Sequence, residues 1–276
     1  MNQNKIALLL LTSIIPLFAN TATSQPVAPE VATAKTEKPL VTSKHSMIVT
    51  NNPWASKAAQ QILNEGGNAT DAAIAAAFVL GLTEPQSSGI GGGGYALSYH
   101  AKTKQLLAFD GREVAPLSAT PNWFIDPKTS KPLNFESAML SPLSVGVPSE
   151  VALFYKMHQQ NGKLAWSKLL APAIALARNG FPMSPRLYGL LQSDQDILKH
   201  NPQIAKVYFN AQGDVKPIGD KVTNIAYADT LQIIAKNPLE FYTGKIAHDI
   251  IETVNKSANK KLMSTKDLSA YKVQVK

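Results

Sequence analysis

The sequence predicts a mixed α and β fold in which helices dominate the second half. Three observations carry this expectation. Apolar residues recur at helical spacing in several separate stretches, among them Trp54 to Asn64 and Trp166 to Arg178. Two short alternating runs, Tyr95 to His100 and Gln105 to Asp110, flank the polar turn Ala101-Lys102-Thr103-Lys104 as a β-hairpin does. Finally, 45% of the 276 residues are apolar and only 17% charged, which suits a substantial core and excludes a long disordered or coiled-coil chain.

Taken in order, the chain opens like a secretory signal over residues 1–24. Lys5 gives a positive start, Ile6 to Phe18 is apolar except for Thr12, Ser13 and Pro16, and Ala22-Thr23-Ser24 offers a small-x-small cleavage context. The apolar run is short for a membrane span. Residues 25–44 are rich in Pro, Ala, Thr and Lys without periodicity, as in a flexible leader. With no cysteine there is neither a lipid-attachment cysteine nor a disulfide framework. The expected product is a periplasmic or secreted protein whose folded part is residues 45–276.

Order is expected to begin at Met47-Ile48-Val49-Thr50, a β-rich run stopped by Asn51-Asn52-Pro53. The helix from Trp54 to Asn64 should end at Gly66-Gly67, where glycine takes the left-handed cap. Asn68 or Thr70 can cap the next helix, and Asp71 suits its positive first turn; Ala72 to Leu82 is apolar all round and should be buried on every side. Beyond the hairpin, helices are expected from Ser149 (as cap) to Gln159, Trp166 to Arg178, Leu187 to His200, Asp229 to Lys236, Lys245 to Lys256 and Thr265 to Tyr271. No internal repeat or linker divides this region.

The densest signal is Glu84 to His100, EPQSSGIGGGGYALSYH, followed by Asp110 to Pro116, DGREVAP. Gly89, Gly91 and Gly94 satisfy GxGxxG, but a dinucleotide site needs that pattern after a strand and before a helix; here the order is reversed, and no P-loop lysine follows. Nucleotide binding is rejected. The glycines read instead as a crowded path into a strand, with room for backbone to approach a ligand. Arg112 follows in acidic surroundings. Its fork can hold a carboxylate in two parallel hydrogen bonds, while residue type alone favours an ion pair with Asp110 or Glu113.

Other chemistries are weakly supported. GxSxG, SxxK and HExxH are absent, and His45, His100, His158, His200 and His248 lack ligand spacing, so no metal site or other cofactor is expected. The formal charge is +8, yet the lysines are scattered, with no basic stripe interleaved with aromatics; neither a nucleic acid nor a membrane is an expected partner. The sequons at Asn68 and Asn255 read as coincidental.

The segments NPWASKAAQQILNEGGNATDAAIAAAF, EPQSSGIGGGGYALSYH and DGREVAP strongly resemble gamma-glutamyltransferases (gamma-glutamyltranspeptidases). So do SVGVPSEVALFYKMHQQNGKLAW, LLAPAIALARNGFPMS and LMSTKDLSAYKV, in the family's own order over nearly all of Met47 to Lys276. One departure is Ser149-Glu150, where relatives usually carry Gly-Thr.

The resemblance implies an α+β fold, the N-terminal-nucleophile hydrolase four-layer αββα sandwich, here incomplete because only the front of the large subunit is represented. It implies a precursor that cleaves itself, a new N-terminal threonine that attacks a γ-glutamyl amide, and transfer of the acyl group to water or to an amino-acid or peptide acceptor. Arg112 then corresponds to the arginine that binds the substrate α-carboxylate. No Thr-Thr pair or Thr-His step occurs, so no catalytic residue is assigned in this chain. Its expected partners are glutathione or another γ-glutamyl compound and a small catalytic subunit, without which it should not turn over substrate. Two alternatives stay open: a non-catalytic secreted homologue that binds a partner or γ-glutamyl ligand, and an acylase acting on cephalosporins or poly-γ-glutamate.

Overall fold

The structure is a computed structural model that describes residues 39–276. The expected signal peptide (1–24) and most of the expected leader (25–44) lie outside these residues. The described residues belong to one compact unit. Residues 45–50 form no strand, contrary to expectation. Among the described residues no strand pairs with this run to satisfy its β-propensity; Ile48 packs on the core while Val49 stays exposed.

In chain order the elements are α1 (Pro53–Asn64), α2 (Ala69–Thr83), β1 (Gly94–His100), β2 (Gln105–Gly111), α3 (Phe135–Met139), α4 (Glu150–Asn161), α5 (Trp166–Asn179), β3 (Phe181–Pro182), α6 (Pro185–Ser193), α7 (Gln195–Leu198), α8 (Pro202–Tyr208), β4 (Lys221–Val222), α9 (Ile225–Lys236), α10 (Glu240–Thr243), α11 (Lys245–Ala258), α12 (Thr265–Ser269) and β5 (Gln274–Val275). Gly66 takes the left-handed conformation after α1, as the sequence required. The expected helix from Leu187 to His200 is broken into α6 and α7 at Asp194. The last helix is shorter than expected and ends at Ser269.

Helix α2 is the centre of the fold. A reciprocal capping box joins Asn68 and Asp71. The same Asp71 carboxylate accepts the backbone N–H groups of Lys163 and Leu164, so it also fixes the link between α4 and α5. Small alanines let α2 lie close to α1, α4 and α5, and Phe78 meets Phe154 and Trp166 edge-on at 5.3 and 5.8 Å. The all-round apolar helix is buried on nearly every side; of its alanines Ala69, in the first turn, and Ala73 are exposed. A second cluster gathers Leu82, Phe181, Met183, Leu187, Tyr208 and Val222 around the β3–β4 ribbon.

The main sheet is antiparallel in the order β1-β2-β5. Alternation turns Ala96, Leu107, Phe109 and Val275 toward the helices. The opposite face carries Tyr95, Leu97, Tyr99 and Leu106, exposed by 71, 75, 63 and 59%. The described residues therefore supply one β layer of the expected αββα architecture, with helices against one of its faces. No helix among them is long and apolar enough to cross a membrane.

Candidate functional site

The site is built where the glycine run meets the end of β2 and the start of α4. The loop leaving α2 is anchored by Glu84, which is 3% exposed. Its carboxylate accepts from Asn52 Nδ2 and Gln86 Nε2, each at 2.8 Å, and pairs with the guanidinium of Arg186 on α6. From there Gly92 N–H closes a turn onto the Gly89 carbonyl at 2.9 Å. The Gly92 carbonyl then accepts both N–H groups that open α4, Ser149 at 2.8 Å and Glu150 at 2.9 Å. Donors that a helix start leaves unpaired are thus met by the glycine loop.

Ser149 does not cap α4 with its side chain, as its sequence position suggested. Its buried hydroxyl donates to the Gly111 carbonyl at 2.7 Å and lies 3.3 Å from the Gly92 carbonyl, tying the end of β2 to the glycine loop. The five glycines do not share one reason. A Cβ on Gly93 would collide with Ser149 Oγ and the Gly111 carbonyl, whereas one on Gly89 or Gly91 would meet nothing within 4 Å. The crowding expected of the whole run is severe at Gly93 and slighter at Gly92, where a Cβ would stand 3.3 Å from the Gly89 carbonyl, while the backbone at Gly89 and Gly91 is open to approach.

Arg112 is the first residue past β2. The two-residue period of the strand carries it on the side of Asp110, the open apolar face. Its Nε lies 3.2 Å from Glu113 Oε2, and its Nη1 is 3.4 Å from the Gly93 carbonyl. The ion pair with Glu113 exists, then, but the Arg112 side chain is 53% exposed. Tyr271 holds the backbone here, its hydroxyl donating to the Arg112 carbonyl at 2.8 Å. Burial pushes the Tyr271 phenol up, a hydrogen bond with Ser149 opposes, and the charges of Asp110 and Glu113 add to the rise. The segment beyond Arg112 is pinned by Asp267, which accepts from the backbone N–H of Leu117 at 2.5 Å and from the Ser264 hydroxyl at 2.6 Å. Desolvation works against that carboxylate, yet these donors keep it below its ordinary value.

Glu150 is the residue that sequence reasoning passed over. It is 8% exposed, and burial raises its carboxyl from the ordinary 4.5 to about 7, opposed by a backbone hydrogen bond from Gly89 and assisted by the charge of Glu113. Because the folded state holds this proton more tightly than the unfolded chain, folding stability should fall as pH rises from about 4.5 to about 7 and then level off. Urea unfolding of wild type and Glu150→Gln across that window checks this; a decline of equal depth in the variant would assign it elsewhere. Its only sequence clue was the departure from Gly-Thr at Ser149-Glu150.

The other candidates resolve as scaffold. His158 Nε2 is 2.8 Å from the Leu164 carbonyl and packs on Trp166, and His100 bonds Thr103 at the exposed hairpin turn. Among the described residues no group of three or more His, Cys, Asp or Glu is placed to hold a metal. Asn68, one of the sequon residues, is committed to its helix cap and to the Asn161 carbonyl.

Comparison with known proteins bears on the family of the chain. The profile of the family Gamma-glutamyltranspeptidase matches residues 55–276. Glutathione hydrolase 2 of Arabidopsis thaliana is 36% identical over 237 residues, covering 86% of this chain and 39% of that protein. The glutathione hydrolase proenzyme of Bacillus subtilis (strain 168) is 35% identical over 233 residues, covering 84% and 39%. Among solved structures, Helicobacter pylori gamma-glutamyltranspeptidase superposes with a TM-score of 0.80 at 32% identity, covering 86% of this chain and 67% of that one. The chain thus spans about two-fifths of the length of these curated relatives. On its family profile, its similarity to these relatives and its backbone, the chain belongs to the gamma-glutamyltranspeptidase family.

Proposed function

We propose that this chain is a large-subunit portion of a periplasmic or secreted gamma-glutamyltransferase/glutathione hydrolase, and that Arg112 binds the α-carboxylate of the γ-glutamyl donor. The observation that carries this reading is the placement of Arg112: a half-exposed side chain at the end of an open sheet face, its guanidinium tied to Glu113 and the Gly93 carbonyl and its backbone held by Tyr271. A fork so held is pre-organised for bidentate carboxylate recognition.

The chemistry is completed by a small catalytic subunit, whether continuous with these residues or separately encoded. Its threonine oxygen adds to the γ-carbonyl, the amide nitrogen leaves with a proton, and water or an acceptor amine then releases the glutamyl group. Support for such a partner comes from the sheet face itself. Tyr95, Leu97, Tyr99 and Leu106 form a contiguous apolar surface of the kind normally covered in a finished protein.

The test is co-expression with a candidate small subunit and assay of anilide release from a chromogenic γ-glutamyl anilide. Activity is expected only in the completed form, and its absence there would sink the reading. Arg112→Ala should then raise KM, with little effect on kcat, by about 10- to 150-fold, the equivalent of a charge-assisted contact of roughly 1.5–3 kcal/mol. An unchanged KM would remove Arg112 from the site.

A further inference from the structure

Three charged side chains stand in a row at this site. Glu150 Oε2 and Glu113 Oε1 flank one point above Gly92, 3.7 and 3.5 Å from where a Cβ on that residue would stand. Glu113 Oε2 reaches on to Arg112 Nε at 3.2 Å but makes no hydrogen bond, although that oxygen is buried. The other groups felt at Glu150 are the Gly89 backbone, Tyr227 on α9 and Tyr242 on α10. Both phenols are pushed far up by burial and stay neutral at physiological pH, so Glu113 is the charge that acts on Glu150.

We infer that Glu150 is a further residue of the Arg112 site, whose carboxyl sets the charge behind the guanidinium and thereby tunes how strongly an anionic carboxylate binds there. With Glu150 neutral, the charges beside Arg112 are those of Glu113 and Asp110, and the exposed side chain meets an incoming carboxylate without a further penalty. With Glu150 ionised, an added negative charge stands behind the same guanidinium and repels the ligand. The change falls near neutrality because Glu150 is buried against Glu113. Carboxylate binding should therefore weaken about tenfold as pH rises through 7, as expected for one added charge within a partly desolvated site. By linkage, binding at pH 7 should also draw a proton onto the protein. Glu150 acts through Glu113 and Arg112 without touching the ligand. It is a positioning and tuning residue, and its role rests on the carboxylate-binding reading of Arg112.

The experiment is calorimetric titration of the full chain with L-glutamate between pH 5.5 and 8.5, in buffers of different ionisation enthalpy. Wild type should bind about tenfold more weakly at the upper end and take up a proton near pH 7. Glu150→Gln should bind at the tight level throughout with no proton uptake, and Arg112→Ala should lose binding at every pH. Binding that depends on Arg112 but not on pH or on Glu150 would overturn the tuning role and leave the Arg112 reading standing. No binding by wild type, or binding that survives Arg112→Ala, would overturn both. Should Glu150→Gln fail to fold, the carboxyl resonances of wild type labelled at glutamate with carbon-13 decide the matter. One of them should titrate near pH 7, and none above pH 6 would overturn the inference.

Discussion

Gly93→Ala should destabilise the protein by about 3 kcal/mol or more, while Gly91→Ala, two residues away in the same run, should be neutral or slightly stabilising. A methyl on Gly93 would enter the space of Ser149 Oγ and of the Gly111 carbonyl, and neither can yield freely. The hydroxyl is buried and bonded at 2.7 Å, and the carbonyl belongs to the residue paired with Gly94 at the end of the hairpin. Overpacking against such fixed neighbours costs about 1–3 kcal/mol or more. At Gly91 nothing lies within 4 Å and φ is not positive, so alanine chiefly restricts the unfolded chain, a gain of about 0.4–1 kcal/mol. Equilibrium urea unfolding of both variants gives the comparison. Adding Ser149→Ala to Gly93→Ala should recover only part of the loss, because the Gly111 carbonyl remains in the way. Equal midpoints for the Gly91 and Gly93 variants would refute the packing account.

Arg186→Met is expected to cost about 3 kcal/mol. Glu84 is 4% exposed in its side chain and Arg186 24%, and removal of one member of so enclosed a pair leaves the other charge without its counter-ion. Asn52 and Gln86 still donate to the carboxylate, which holds the figure at the lower end of the range for broken buried pairs. The same logic fixes the double mutant. Arg186→Met with Glu84→Gln removes both charges, so it should lose less stability than the two single changes summed. Strict additivity, measured by urea unfolding, would show that the pair does not interact. The pair also has a consequence for the site: it fastens the loop that carries Gly89 to Gly93, and amide exchange in that loop should quicken when it is cut.

Much of this was legible in the residues. The hairpin followed from alternation around a polar turn, α1 from its apolar stripe and the glycines behind it, and α2 from an apolar run headed by Asn68 and Asp71. These are local signals, in which the residues that determine the element lie within it. Expectations failed where the deciding partner was remote. The run from Met47 to Thr50 has the composition of a strand, but no strand among the described residues bonds with it. The segment after Leu187 is a local exception: it has helical composition, yet the backbone leaves helical geometry at Asp194. Ser149 looked like a helix cap, but its hydroxyl is taken by a carbonyl 38 residues away.

The sequence by itself determined α1, α2, α4, α5, α9 and α11, the hairpin, the family resemblance and Arg112 as the residue to watch, because each is written in short-range pattern or in motif. Only the tertiary structure decided which glycine is sterically obligatory, that Arg112 is paired with Glu113 yet still half exposed, and that Glu150 is a buried acid behind it. These depend on burial and on distances between segments far apart in the chain. A carboxyl at the start of a helix is unremarkable until α4, the glycine loop and the end of β2 close around it and take away its water.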